Sequence, residues 1–226
     1  PLVEQYVDEV GGMLVGDFGT SYYDGRPVGD QIARALPVSL ELGALAALFA
    51  VGAGVVVGAW SARHHGTRRD GTARVMTVLA LSIPSYWLAV LCLVVVGEQL
   101  PTLLPDAGGY VRLTDDPLTN LQTMVLPAVV LGLAAFAMVA RSLRNALVHA
   151  LTADDAQFAR AMGMAERDVV RRIALRNSVV PTLTVMGLVI GGLMAGTVLI
   201  ENVFQLPGLG QLMVTAFVRR DFPLAL

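Results

Sequence analysis

The sequence predicts an all-α polytopic membrane protein, on three observations. Of its 226 residues 55% are hydrophobic and only 15% charged, with mean hydropathy +0.64, too apolar a balance for an ordinary soluble domain. Four stretches, about 38–60, 75–97, 121–140 and 179–200, each supply the roughly 20 apolar residues that a helix needs to cross a hydrocarbon core. They are continuous Ala/Val/Leu/Gly runs without period-two alternation, so a transmembrane β-barrel is not the reading.

Taken in order, residues 1–36 form an external segment ahead of a core that fills 37–226. Arginine and lysine accumulate in cytoplasmic connections, which orients the rest. Segment 1–37 has two arginines against six acids, and connection 98–120 has only Arg112 beside Glu98, Asp106, Asp115 and Asp116; both are placed outside. Connection 61–74 holds four arginines and connection 141–178 seven, so both are cytoplasmic. Pro101, Pro105, Gly108, Gly109 and Pro117 give 98–120 the turn-forming composition of an external loop.

Inside the runs, Gly54 and Gly58, Gly187 and Gly191, and Gly192 and Gly196 recur at the spacing that lets helices approach closely. Pro84 in the second run and Pro127 in the third remove helix donors and are expected to kink or interrupt their helices. The chain opens at Pro1 without an initiator Met or a signal core, and a further apolar run begins near Phe222. A segment of a longer protein is expected.

Several chemistries lack support. The sole cysteine, Cys92, lies in the second run and offers no intrachain disulfide. All sixteen basic residues are arginine, so the phosphate-loop lysine of an ATPase is missing. His64 and His65 are adjacent and His149 sits in another connection, a poor start for a metal site, and no run contains the base an intramembrane protease needs. No cofactor and no nucleic-acid partner are expected. Only Glu41 and Glu201 come near a run, each at an outward end, which gives a proton-driven carrier little support. Glu41 either lines a substrate entrance or reaches the membrane interface.

Residues 152–178 form a charged insert between the last two runs. Thr152 and Asp155 fit a capping box, with Asp154 and Asp155 where a helix N-terminus favours negative charge. A helix starting there carries Phe158, Met162, Ala165 and Val169 on one stripe, with Ala156, Ala159 and Gly163 as a smooth face beside it and Arg160 and Arg167 on the polar side. That face is too narrow for a helix lying on a membrane and suits a groove on another protein. A solvated connector packed on its own domain is the alternative. The stretch Glu201-Asn-Val-Phe-Gln-Leu-Pro-Gly-Leu-Gly210 is expected to turn at the outer face, with Phe204 and Leu206 inward, because Pro207, Gly208 and Gly210 cannot continue a helix. It is either an outer gate or a plain reversal.

Phe158-Ala-Arg-Ala-Met-Gly163, followed by Ile173 and Leu175, resembles the EAA loop of importer-type ABC permeases, and Leu175-Arg-Asn-Ser-Val-Val-Pro181 resembles its form in dipeptide and oligopeptide permeases. Gly16-Asp-Phe-Gly-Thr-Ser-Tyr-Tyr-Asp-Gly-Arg-Pro-Val28, the 201–210 stretch and Arg220-Asp-Phe-Pro223 agree in the same order. Three positions depart from the pattern: Gln157-Phe158-Ala159 stands for Glu-Ala-Ala, Met162 for a basic residue, and the proline is moved from 176 to 181. The resemblance implies a type I ABC importer transmembrane domain of the B-type, in a bacterial inner membrane, lacking here the family's first and last spans. It implies that the insert is a cytoplasmic coupling helix, with Ala156, Phe158, Ala159, Arg160, Met162, Gly163 and Ile173 at an ATPase cleft. Glu201, Phe204, Pro207, Gly208 and Gly210 become the candidate outer gate. The implied partners are a second homologous permease, two cytoplasmic ATP-binding subunits, an extracytoplasmic substrate-binding protein, a peptide substrate and membrane lipid. Nickel or glutathione import, or a non-transporting scaffold, are the alternatives.

Overall fold

The computed structural model describes residues 11–12, 16–99 and 110–225; Pro101, Pro105, Gly108 and Gly109, read above as loop formers, lie outside them. Eight helices of three residues or more follow one another among the described residues: α1 Val28–Arg63, α2 Arg68–Ser82, α3 Ser85–Gln99, α4 Pro117–Thr152, α5 Asp154–Ala161, α6 Glu166–Phe204, α7 Leu209–Arg219 and α8 Phe222–Ala225. Three of them, α1, α4 and α6, are long and apolar enough to cross a membrane, and α2 with α3 makes a fourth crossing if the bent pair counts as one.

The boundaries follow from local chemistry. Pro27 fixes the chain just before α1, which therefore begins at Val28, well ahead of the apolar run, so the final residues of the 1–36 segment are helical. Asp116 caps α4, its carboxylate accepting from the Leu118 and Thr119 amides at 3.1 and 3.2 Å, and Pro117 occupies the first turn where no donor is needed. The run 75–97 is not one straight span. Ile83, held extended by Pro84, separates α2 from α3 at a bend of 97°. Pro127, by contrast, sits fully buried inside an unbroken α4, and Pro181 inside an unbroken α6.

Because lipid tails are as apolar as leucine, close packing rather than exclusion from water must hold these helices together. α4 is the centre: 61% of its apolar stretch is buried, against 33% for α1 and 22% for α6. It lies parallel to α1, whose backbone it approaches at three levels. A Cβ on Gly132 would meet the Ala46 carbonyl oxygen at 2.7 Å, one on Gly54 the Val139 side chain at 2.8 Å, and one on Gly58 the Ala140 carbonyl oxygen at 2.6 Å. α6 runs antiparallel to both, touching Leu131 at Gly196. The other glycines of α6, Gly187, Gly191 and Gly192, meet no atom of this chain within 4 Å of a would-be Cβ. Leu42, Met124, Val139 and Ile200 of the three long helices, with Leu206 of the turn after α6, belong to the buried core.

This arrangement gathers the charged connections at two ends. At one end Asp70, from the start of α2, meets Arg144 of α4; at the other Ser39 of α1 meets Glu201 of α6. The arginine-rich connections 61–74 and 141–178 thus share one end.

Candidate functional site

At the arginine-rich end, α4 stops at Thr152, whose hydroxyl donates back to the Val148 and His149 carbonyls. It therefore caps nothing: Ala153 precedes α5 and makes no side-chain cap, so the expected capping box is absent. α5 is eight residues long, and Gly163, at φ +81°, turns the chain sharply after it. The Met164 amide closes that turn on the Ala159 carbonyl at 3.0 Å. This backbone region favours glycine, so Gly163 supplies the bend, and open space rather than a close contact surrounds it.

The turn overturns the expected stripe. Val169 belongs to α6 and is fully buried, packed with Ala156 and Ala159 and flanked by Leu151 and Ile173. Ala156 and Ala159 of the small-residue face are thus covered by their own chain, because the first turns of α6 fold back over them, whereas Gly163 stays exposed. What α5 presents outward is Phe158, 68% exposed, and Met162, 74% exposed. Arg160 is not a free polar residue either. Its guanidinium grips Glu166 with two bonds of 2.8 Å and donates a third, also 2.8 Å, to the Leu151 carbonyl. One side chain therefore ties the end of α4, α5 and the start of α6 into a hook. The following six residues, Val169–Ala174, are wound as a π-helix, a distortion that places Val169 and Ala174 inward together.

A second cluster at this end escaped the sequence reading. Asp70, 2% exposed, accepts from Arg144 at 2.8 and 2.7 Å, from the Ser61 hydroxyl at 2.7 Å and from the Gly66 amide at 3.2 Å. The Arg144 guanidinium beside it holds its carboxyl well below the usual carboxylate range. The Arg144 Nη2 also donates to His65 Nδ1 at 3.1 Å. The signal available was a lone acid among four arginines in 61–74. It locks that connection to the helix that leads into the hook.

At the opposite end α6 stops in Phe204, and Gln205 adopts a left-handed conformation at φ 54°. Phe204 and Leu206 are buried at 4% and 1% exposure, as the sequence suggested. Glu201 is fully buried instead of reaching an outer surface. Its Oε1 accepts from the Ser39 hydroxyl at 2.7 Å, and its Oε2 accepts from the Gly210 and Gln211 amides at 2.7 and 3.2 Å. The carboxylate thereby caps the N-terminus of α7. Ser39 completes the knot by accepting from the Leu209 amide at 2.8 Å. Gly208 and Gly210 leave no room for side chains, since a Cβ would strike the Glu201 carboxylate at Gly208 and the Val198 backbone at Gly210. Pro207 is exposed at the tip. Beyond α7, Asp221 accepts from the Ser21 hydroxyl and, at 3.0 Å, from the Tyr22 amide, which binds the segment before α1 to the same rim.

Residues 54–226 match the family model described as the binding-protein-dependent transport system inner membrane component. The chain belongs to that family. The permease is 38% identical to a dipeptide transport system permease protein, DppB, of Lactococcus lactis subsp. cremoris, over 99% of this chain and 71% of that protein. It is 33% identical to the protein of the same name from Escherichia coli K12, over 99% of this chain and 72% of that one. A putative peptide transport system permease protein of Brucella abortus is 36% identical over 92% of this chain and 65% of its own length. The permease is a multi-pass bacterial inner membrane protein and a transport component of a larger ABC assembly.

Proposed function

We propose that this chain is one permease subunit of an ATP-driven peptide importer, forming half of a pathway with a second homologous permease. Two cytoplasmic ATP-binding subunits and an extracytoplasmic substrate-binding protein complete the assembly, and the bond chemistry of ATP belongs to the ATP-binding subunits. The relatives' names favour peptide over nickel or glutathione. The observation that carries the reading is the hook: Phe158 and Met162 stand exposed on a short helix that Arg160 ties to both α4 and α6.

An ATPase cleft takes Phe158 and Met162 as apolar anchors one turn apart. When the ATPases close, α5 is displaced, and the Arg160 bonds to Leu151 and Glu166 carry the displacement to α4 and α6. Gly163 sets the direction of the hook, whereas Ala156, Ala159 and Ile173 hold α5 on its own chain. At the other end the 201–210 turn, pinned by Glu201 to α1 and α7, moves as one piece with α6 and serves as the outer gate.

The test is the assembled transporter in proteoliposomes carrying Phe158→Ala with Met162→Ala. Both side chains are exposed, so the variant should accumulate and melt like the parent, while ATP hydrolysis stimulated by the loaded binding protein falls at least about tenfold, roughly 1.4 kcal/mol in coupling. Full stimulation in this variant would remove α5 from the coupling path.

A further inference from the structure

At the rim end, α1 and the residues from 110 onward line an open cavity of about 880 Å³, within the range of small-molecule sites. Its walls bear Asp30, Arg34, Glu41, Tyr110 and Arg112 over an apolar floor that includes Leu45. None of these belongs to the hook or to the Glu201 knot. We propose that the cavity is a peptide-binding site within the permease, which takes the free ammonium at Glu41 and the free carboxylate at Arg34; this rests on the peptide-importer reading above.

Three observations meet here. First, the Glu41 carboxylate is one donor short: Tyr110 donates its hydroxyl to Oε2 at 2.8 Å, while Oε1 is buried and has no partner among the described residues. A buried acceptor left unpaired is costly; Oε1 has no exposed surface as it stands, so the ammonium meets it by a rotation of the carboxylate that turns Oε1 toward the cavity, and there supplies the missing donor. Second, among the described residues neither Arg34 nor Arg112 has a carboxylate within ion-pair distance, and each carries a planar donor fork of the kind that suits a carboxylate. Asp30, one turn before Arg34 on α1, makes the wall neutral overall, with two acids against two arginines. A ligand that carries both charges apart, and none in sum, matches that wall.

Third, the spacing selects a length. Arg34 and Glu41 are two turns apart on one face of α1, about 10.5 Å along the axis. An extended peptide advances about 3.3–3.6 Å per residue, so a chain of about three residues joins the two groups. The apolar floor receives side chains without a hydrogen-bond code, which leaves sequence unread and termini read.

The experiment uses the assembled transporter in nanodiscs without its binding protein, and radiolabelled trialanine as probe. Saturable binding is expected. Glu41→Gln keeps an acceptor for Tyr110 yet removes the charge, and should weaken trialanine about tenfold, the worth of one charge-assisted hydrogen bond. N-acetyl-trialanine should bind the parent about tenfold more weakly than trialanine and should not distinguish parent from Glu41→Gln. Arg34→Gln should likewise erase discrimination against trialanine amide. Trialanine uptake by the complete transporter, with no saturable binding to the permease or equal binding by the variants, overturns the site and leaves the peptide reading standing. Absence of peptide uptake by the complete transporter overturns that reading, and the site with it.

Discussion

Glu201 shows how much one buried side chain can hold. Its carboxylate receives the Ser39 hydroxyl from α1 and two amides from the start of α7, so a single residue of α6 joins three helices. Glu201→Ala would leave those donors buried without an acceptor, at about 1–3 kcal/mol for each group so stranded. The apparent melting temperature in detergent should fall by several degrees. Glu201→Gln, which keeps one acceptor oxygen, should lose less; equal melting of Glu201→Ala and the parent would show that the knot contributes nothing. Sequence alone placed Glu201 near the end of an apolar run but could not show its role, because Ser39 lies 162 positions away. The same holds for Asp70, whose partner Arg144 is 74 positions distant. Residue type and local spacing reveal that a charge is present; only the packing of distant helices reveals what satisfies it.

At the scale of elements, glycine spacing was informative where two helices of this chain meet and silent elsewhere. Gly54 and Gly58 do face α4 at backbone distance, whereas Gly191 carries the same spacing and meets nothing within 4 Å. A stripe of small residues shows that a helix can be approached, not by what. Gly58→Leu should therefore separate α1 from α4 and reduce the amount of folded permease recovered in detergent, since its side chain would run into the Ala140 backbone. Gly191→Leu should leave recovery and melting unchanged; if both variants are recovered equally, the α1 and α4 contact is not close-packed. The insert failed as a sequence pattern for a related reason. A helical stripe from Phe158 to Val169 presumes one continuous helix, but the chain turns at Gly163 after α5, and the stripe splits into exposed Phe158, Met162 and Ala165 and buried Val169. The apolar runs themselves were legible because bilayer thickness imposes length and composition on every crossing.

The whole molecule has two chemically distinct ends, and their assignment follows from how the long helices run. α1 and α4 are parallel and α6 opposes them, so the connections 61–74 and 141–178 emerge together, as the Asp70 pair with Arg144 demonstrates. With eleven of the sixteen arginines there, four in one connection and seven in the other, the charge rule predicts that end to be cytoplasmic. Thr114, Gln205 and the Ser21 tie to Asp221 then face outward. Single cysteines labelled with a membrane-impermeant maleimide test this, once Cys92→Ser has removed the background thiol. Suitable positions must be exposed. Thr67→Cys and Gln157→Cys, both at exposed sites, should react only in inverted vesicles, and Thr114→Cys and Gln205→Cys only in intact cells. Reaction of Thr114→Cys in inverted vesicles alone would turn the permease over in the membrane, and with it the coupling hook; reaction of Thr67→Cys and Thr114→Cys from the same side would show that α2 and α3, bent by 97°, do not together make a crossing.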